Sequence, residues 1–225
     1  MPHDTNPQSL PLAQPPSLPS AAGAAWRWVG ERGVLLTTGD ATLARYAALS
    51  ARHWPEVEDL VPADGTLLLI LRPGAAMSAA LRQALSAETS HPPDTNGVLH
   101  PIRVEYGGAA GPDLDALAAR AGMSRDAYIH SHAAVEYRVA FLGFQPGFAY
   151  LQGLPTALHA PRRASPRVRV PAGSVAIGGA YCGIYPASGP GGWHLIGRAE
   201  VTVFDPQRAG PALLLPGDRV RFVAA

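Results

Sequence analysis

The chain has 225 residues, 47% of them hydrophobic, with a formal net charge of +1. That is enough apolar content for one large or two modest domains, and too little net positive charge for nonspecific nucleic-acid binding by the whole chain. All 18 basic residues are arginine, and without lysine there is neither a P-loop nor Schiff-base or pyridoxal chemistry. Residues 1–24, rich in Pro, Ser, Gln and Ala, read as a disordered tail. No basic region followed by an apolar run opens the chain, and no apolar stretch approaches the ~18 residues of a membrane span. A cytoplasmic protein that binds neither membrane nor nucleic acid is expected.

Folded sequence is expected from residue 25. Trp26–Val29 and Val34–Thr38 read as strands. Asp40 is placed to N-cap a helix running through Leu43, Tyr46, Ala47 and Leu49. The apolar run Thr66–Leu71 suits a strand buried on both faces, and Met77–Leu85 suits a second helix. Strand and helix in alternation predict a small α/β domain over residues 25–98, closed by a linker at His91–Gly97. A second unit, residues 99–225, opens with an alternating strand at Leu99–Tyr106. A helix follows at 113–121, ended by Gly122, and Ser124 starts another through Tyr128 to Ala134. Short strands then dominate: Tyr137–Phe141, Arg167–Val170, Ser174–Ile177, Gly183–Tyr185, Trp193–Ile196, Val201–Phe204 and Arg219–Val223. Such strands between Gly and Pro turns predict a barrel or sandwich, and the chain as a whole an α+β protein.

The most informative segment is 137–199. Its 63 positions hold six arginines, 11 glycines and seven prolines, with no aspartate or glutamate. A solvated surface this long normally mixes both charge signs. Arginine offers a planar fork to carboxylate or phosphate, glycine admits close backbone approach, and proline fixes loop shape. The segment therefore reads as a rigid surface that receives an anionic small molecule or a partner's acidic edge. The competing reading is a barrel whose arginines only cover its rim. Arg162 and Arg167, each following a proline, are the candidate anion-binding residues. Alternation would put Arg167 and Arg169 on one face of a strand, which an edge strand guarded against aggregation would also show. Ser188, Gly191 and Gly192 belong to a tight loop suited to an anion nest, or to an ordinary hairpin turn. Phe148, Tyr150, Tyr185 and Trp193 lie beside glycine turns and are candidates to line a groove closed by a partner, or else to fill the barrel core.

His130 and His132 are two apart on an expected helix, which separates them, so no metal site is expected. His132 alone is the candidate acid–base residue, the alternative being a satisfied histidine at a domain seam. The lone cysteine, Cys182, excludes an internal disulfide and a cysteine-rich zinc site, and reads as a buried structural thiol. With no acid in the segment, a general base must be histidine, tyrosine, an acid from elsewhere in the chain, or a partner's group.

The run GFQPGFAYLQGLP, then PRRASPRVRVPAGSVAIGG, GIYP and GGWHLIGR, resembles the allophanate hydrolase subunit 1 family. That family is also called the 5-oxoprolinase B-subunit family, and it includes sporulation-kinase inhibitors. The likeness extends upstream through GPDLDALAARAGMS and through His132 with Tyr137, and downstream to LLLPGDRVRF. It covers roughly residues 30–223. It implies a small α/β N-terminal domain followed by a cyclophilin-like β-barrel, a companion subunit of related barrel fold, and a third, lamB-type subunit. It implies an ATP-dependent 5-oxoprolinase that opens 5-oxo-L-proline to L-glutamate, with ATP bound by the assembled complex and this chain inactive alone. Inhibition of a sensor histidine kinase, or urea- and allophanate-related chemistry, are the alternatives within the family. Two departures touch the candidate site: SGPGGW is one residue longer than the family's usual SPGGW, and Ala199–Glu200 follow Gly197–Arg198 where the family has threonine and proline.

Overall fold

The computed structural model describes residues 26–87 and 97–225. The tail at 1–24 and residues 91–96 of the linker lie outside the described residues. Among the described residues no helix is long and apolar enough to cross a membrane.

Strands β1 (Trp26–Val29), β2 (Gly33–Thr37), β3 (Val57–Ala63) and β4 (Thr66–Leu71) form one sheet in the order β1-β2-β4-β3. Every pairing in it is antiparallel. The expected alternation of strand and helix is therefore corrected: β3 intervenes and makes a hairpin with β4. Glu58, Asp59 and Pro62 disguise β3 as loop, and it becomes a strand because β4 offers it a full ladder. β4 is also not buried on both faces. Leu67, Leu69 and Leu71 are buried, while Thr66, Leu68 and Ile70 on the other face stay partly open. Helices α1 (Thr42–Ser50) and α2 (Ala79–Ser86) cover the apolar side, where Leu36, Leu49, Leu67, Leu69, Leu81 and Leu85 share one core. Ser78 caps α2 by accepting from the Leu81 N–H. Asp40 caps nothing. It lies in a 3-10 turn, Gly39–Ala41, and it is Thr42 whose hydroxyl donates to the Gly39 carbonyl.

The second unit is a closed barrel. It is built from β5 (Leu99–Tyr106), β6 (Glu136–Leu142), β7 (Ala149–Gln152), β9 (Ser174–Gly178), β10 (Tyr181–Ile184), β12 (His194–Ala199) and β13 (Arg219–Ala224). Around the barrel they run β10-β7-β6-β13-β5-β12-β9, and β9 pairs back to β10. Helices α3 (Leu114–Arg120) and α4 (Arg125–Ala133) pack against each other, with α4 on β13. Ser124 caps α4 through the Ala127 N–H, and Gly122 ends the α3 turn at φ 67°. Outside the barrel, β8 (Arg167–Val170) and β11 (Gly189–Gly191) form a two-stranded arm.

Two expectations change here. Gly189–Gly191 is strand rather than turn, because β8 supplies its partner. Val201–Phe204 is not a regular strand. It meets 211–213 through the Leu213 N–H to the Val203 carbonyl and the Asp205 N–H to the Pro211 carbonyl, and only Phe204 and Ala212 register as a bridge. Pro206 and Pro211 remove the donors a continuous ladder would need.

Candidate functional site

At one edge of the barrel the acid-free segment folds back on itself around a pocket of about 200 Å³. Its wall is aromatic. Phe148 stands edge-to-face against Phe144, Tyr150, Tyr185 and Trp193 at centroid distances of 5.2–5.4 Å. This is the geometry that ring quadrupoles prefer. Phe148, Tyr185 and Trp193 are buried, while Tyr150 is half-buried. All four line the pocket, so core packing and groove lining are the same rings seen from two sides. Glycine makes the arrangement possible. A Cβ on Gly178 would collide with the Trp193 indole, and one on Gly191 with the Tyr185 hydroxyl. Burial pushes the Tyr185 phenol up, so it stays protonated and able to donate.

The polar rim comes from the loop before β8 and the loop after β11. Arg162, Arg163, Pro166, Gly191 and Gly192 complete the lining. The loops are stitched together: the Arg163 N–H donates to the Gly192 carbonyl at 2.8 Å, and His194 Nε2 lies 3.0 Å from the Pro161 carbonyl. Arg162 projects from this fixed backbone and makes no hydrogen bond or ion pair with any described residue.

Arg167 has a different fate. Asp113, at the start of α3, accepts from Arg167 Nη2 at 2.8 Å and from Arg163 Nη1 at 3.1 Å, both on Oδ1. Its Oδ2 accepts from the Leu195 N–H at 2.7 Å. Burial alone would raise the Asp113 pKa, but the Arg167 and Leu195 hydrogen bonds and both guanidinium charges hold it below the usual carboxylate range. The acid missing from 137–199 is thus supplied from outside it. Arg167 does not line the pocket, and its placement as a free anion receptor is corrected to an ion-paired strut. Ser188 also stands apart: it accepts from Arg169 Nε at 3.0 Å on the exposed arm and does not reach the pocket.

His132 lies far from this chemistry in character. Its side chain is 0% exposed, inside the barrel core, and stacks on Phe222 at 4.8 Å. Nδ1 is 2.8 Å from the Tyr106 hydroxyl, Nε2 is 3.3 Å from Cys182 Sγ, and the Tyr137 hydroxyl donates to its carbonyl. Burial pushes its pKa down to about 3, so it is neutral. The acid–base placement of His132 is corrected to that of a satisfied core histidine. His130, on the same helix, is exposed on the other side. Cys182 is fully buried, and burial pushes its thiol pKa up.

Sequence reasoning missed Phe144. It is 58% exposed, lines the pocket mouth, and sits at φ 65°, a backbone region that favours glycine. The signal was its place between Gly143 and the Pro146–Gly147 pair.

Residues 24–214 match the family model described as carboxyltransferase domain, subdomain C and D. Over 171 residues the chain is 48% identical to the 5-oxoprolinase B subunit of Escherichia coli O157:H7, covering 75% of this chain and 78% of that protein. The crystal structure of TTHA0988 superposes with a TM-score of 0.74 at 39% identity, covering 86% of this chain but only 40% of that one. The protein PH0987 from Pyrococcus horikoshii superposes with a TM-score of 0.56 at 36% identity, covering 89% of this chain and 97% of that one.

Proposed function

From the premise that this chain belongs to the family of carboxyltransferase-domain subdomains C and D, we propose that it is a subunit of an ATP-dependent 5-oxoprolinase. The reaction is 5-oxo-L-proline plus ATP and water to L-glutamate, ADP and phosphate. The observation that carries the site reading is Arg162: a guanidinium without a partner among the described residues, on the rim of a small, aromatic-walled pocket. 5-Oxoproline is a flat lactam bearing one carboxylate. The carboxylate takes the two parallel N–H bonds of Arg162, and the ring lies against Tyr150, Tyr185 and Trp193. ATP, when bound, would supply the phosphoryl group that activates the lactam carbon toward water; the bond that then breaks is C–N, its nitrogen taking a proton to become the amine of glutamate, and a second water releases phosphate from the carboxyl oxygen. We assign to the Tyr185 hydroxyl, which burial keeps protonated, the donation toward an oxygen that gains negative charge.

Among the described residues, the pocket has no carboxylate free to act as a base. Asp113 is held by two arginines, and His132 is enclosed in the core. We assign the base and the nucleotide-holding groups to a companion barrel subunit and a third, lamB-type subunit, the partners that the family resemblance implies. This chain is inactive alone and works in the cytoplasm. The exposed Phe144 and the 91%-exposed Val168 border the pocket and the arm, where the companion docks.

The test is co-expression with both companions and an assay for glutamate release from 5-oxoproline. Release that requires ATP and all three chains, and that falls with Arg162→Ala, supports the reading. No release from the assembled complex, or equal turnover by this chain alone, overturns it.

A further inference from the structure

A second pocket, of about 270 Å³, lies between the N-terminal sheet and the barrel. The N-terminal unit contributes Asp40, from the turn before α1, and Asp64, from the β3–β4 hairpin. The barrel contributes Arg138 on β6, Gln152 on β7 and Tyr181 on β10. The Tyr181 hydroxyl donates to Asp64 Oδ1 at 3.0 Å and so ties the two units together at this point. None of these residues lines the Arg162 pocket, although Tyr181 stands edge-to-face on Tyr150 of its wall at 5.6 Å.

The groups here are not mutually satisfied. Arg138 Nη1 is buried with no hydrogen-bond partner, although two carboxylates line the same pocket. The Asp40 carboxylate makes no hydrogen bond or ion pair with any described residue. A buried guanidinium N–H without an acceptor is costly, which makes the site receptive to a ligand that supplies one. The charge layout selects the ligand. A bare anion such as phosphate satisfies Arg138 but meets Asp40 and Asp64. A bare cation satisfies the carboxylates but meets Arg138. A small zwitterion satisfies both sides, and the volume suits a metabolite below drug size.

We propose that the cleft between the two units binds a free α-amino acid, its carboxylate on Arg138 and its ammonium on Asp64 and Asp40. The ligand bridges the two units beside the Tyr181–Asp64 contact. The site stands independently of the lactam reading of the Arg162 pocket, because 5-oxoproline has no ammonium group.

The test is titration calorimetry on the purified chain with glycine, L-alanine and L-glutamate. Acetate, methylamine, inorganic phosphate and 5-oxo-L-proline serve as probes that carry only part of the charge pattern. The expected result is saturable one-to-one binding of at least one of the three amino acids and none of the partial probes at the same concentration. Arg138→Gln and Asp64→Asn should each weaken that binding at least about 10-fold, the loss of one charge-assisted contact, and Arg162→Ala should leave it unchanged. Asp64→Asn keeps an acceptor for Tyr181, and Gln152→Trp blocks the cleft without altering its charge, so the question is decided even if Arg138→Gln does not fold. The proposal is overturned if no amino acid binds up to about 10 mM, a concentration that would reveal even weak complexes. It is equally overturned if acetate or phosphate binds as well as the amino acids, or if Arg162→Ala abolishes binding.

Discussion

Arg162 and Arg167 both follow a proline, one in the loop before β8 and one at the first residue of β8, yet only one of them is ion-paired: Arg167 Nη2 lies 2.8 Å from Asp113 Oδ1, while Arg162 has no partner among the described residues. The difference divides their roles. The guanidinium already held by a buried carboxylate fixes the loop, and the free one is available to a ligand.

Arg162→Ala should leave the fold intact and lower kcat/KM of the assembled complex by about 10-fold or more, the loss of a charge-assisted bond of about 1.5–3 kcal/mol. Arg162→Lys should recover little of it, because a point charge cannot reproduce a bidentate fork. Steady-state kinetics with a melting curve for each variant check this. Wild-type kinetics in a folded Arg162→Ala complex would leave the arginine as rim decoration.

Asp113→Asn should destabilise the chain by about 2–3 kcal/mol at neutral pH. Loss of a buried partner costs about 3–5 kcal/mol, and the part-exposed guanidiniums keep some access to water. The pH dependence follows from the depressed Asp113 pKa. The unfolded carboxyl titrates near 3.9. Its contribution is full above that value and is lost as pH falls through the lower folded pKa. The stability gap between wild type and Asp113→Asn should therefore be constant from neutral pH down to about 5 and close below about 4. A gap that widens in acid would contradict the ion-pair account.

The Ser124 start of α4 and the bounds of β5 and β8 were legible in the sequence, and β13 to within one residue, because local chemistry decides them, whereas the Ser78 cap lay inside the helix expected over Met77–Leu85. The Gly–aromatic segment marked where rings gather for the same reason: rings beside glycines have little local backbone to pack on. What was hidden is what depends on long-range pairing. β3 looks like loop until β4 lies beside it, and Gly189–Gly191 looks like turn until β8 does. Asp113 reads as the opener of a helix, and nothing local reveals that it sits 54 positions from Arg167 in sequence and in contact with it in space. His132 misled because a lone histidine in a motif carries no mark of burial.

Phe144→Gly separates strain from function. Glycine adopts φ 65° freely, so the substitution should hold or raise the melting temperature, relieving strain of roughly 1 kcal/mol. It also removes the ring that stands edge-to-face on Phe148 and Tyr185 at the pocket mouth. Substrate KM in the assembled complex should rise several-fold. A variant that is both less stable and unchanged in KM would show that the ring serves packing alone.

His132→Phe gives the test of the core histidine. The ring faces Tyr106, Tyr137, Phe222 and Cys182, and among the described residues no carboxylate pairs with it. Its folded pKa is depressed to about 3, against about 6.5 unfolded. A histidine buried neutral adds no pH dependence above the unfolded value. Below it the unfolded chain takes up a proton that the folded chain refuses, so stability falls as pH drops from about 6.5 toward 3. His132→Phe loses the Tyr106 and Cys182 contacts, which lowers stability at neutral pH, but it should flatten this acid-side slope. The pH–rate profile of the assembled complex should keep its shape if this enclosed ring transfers no proton to substrate. Denaturant melts at pH 7, 6 and 5, set beside kcat/KM at the same values, decide it. A profile that loses its acid limb in His132→Phe, with an unchanged stability slope, would return this histidine to the catalytic role.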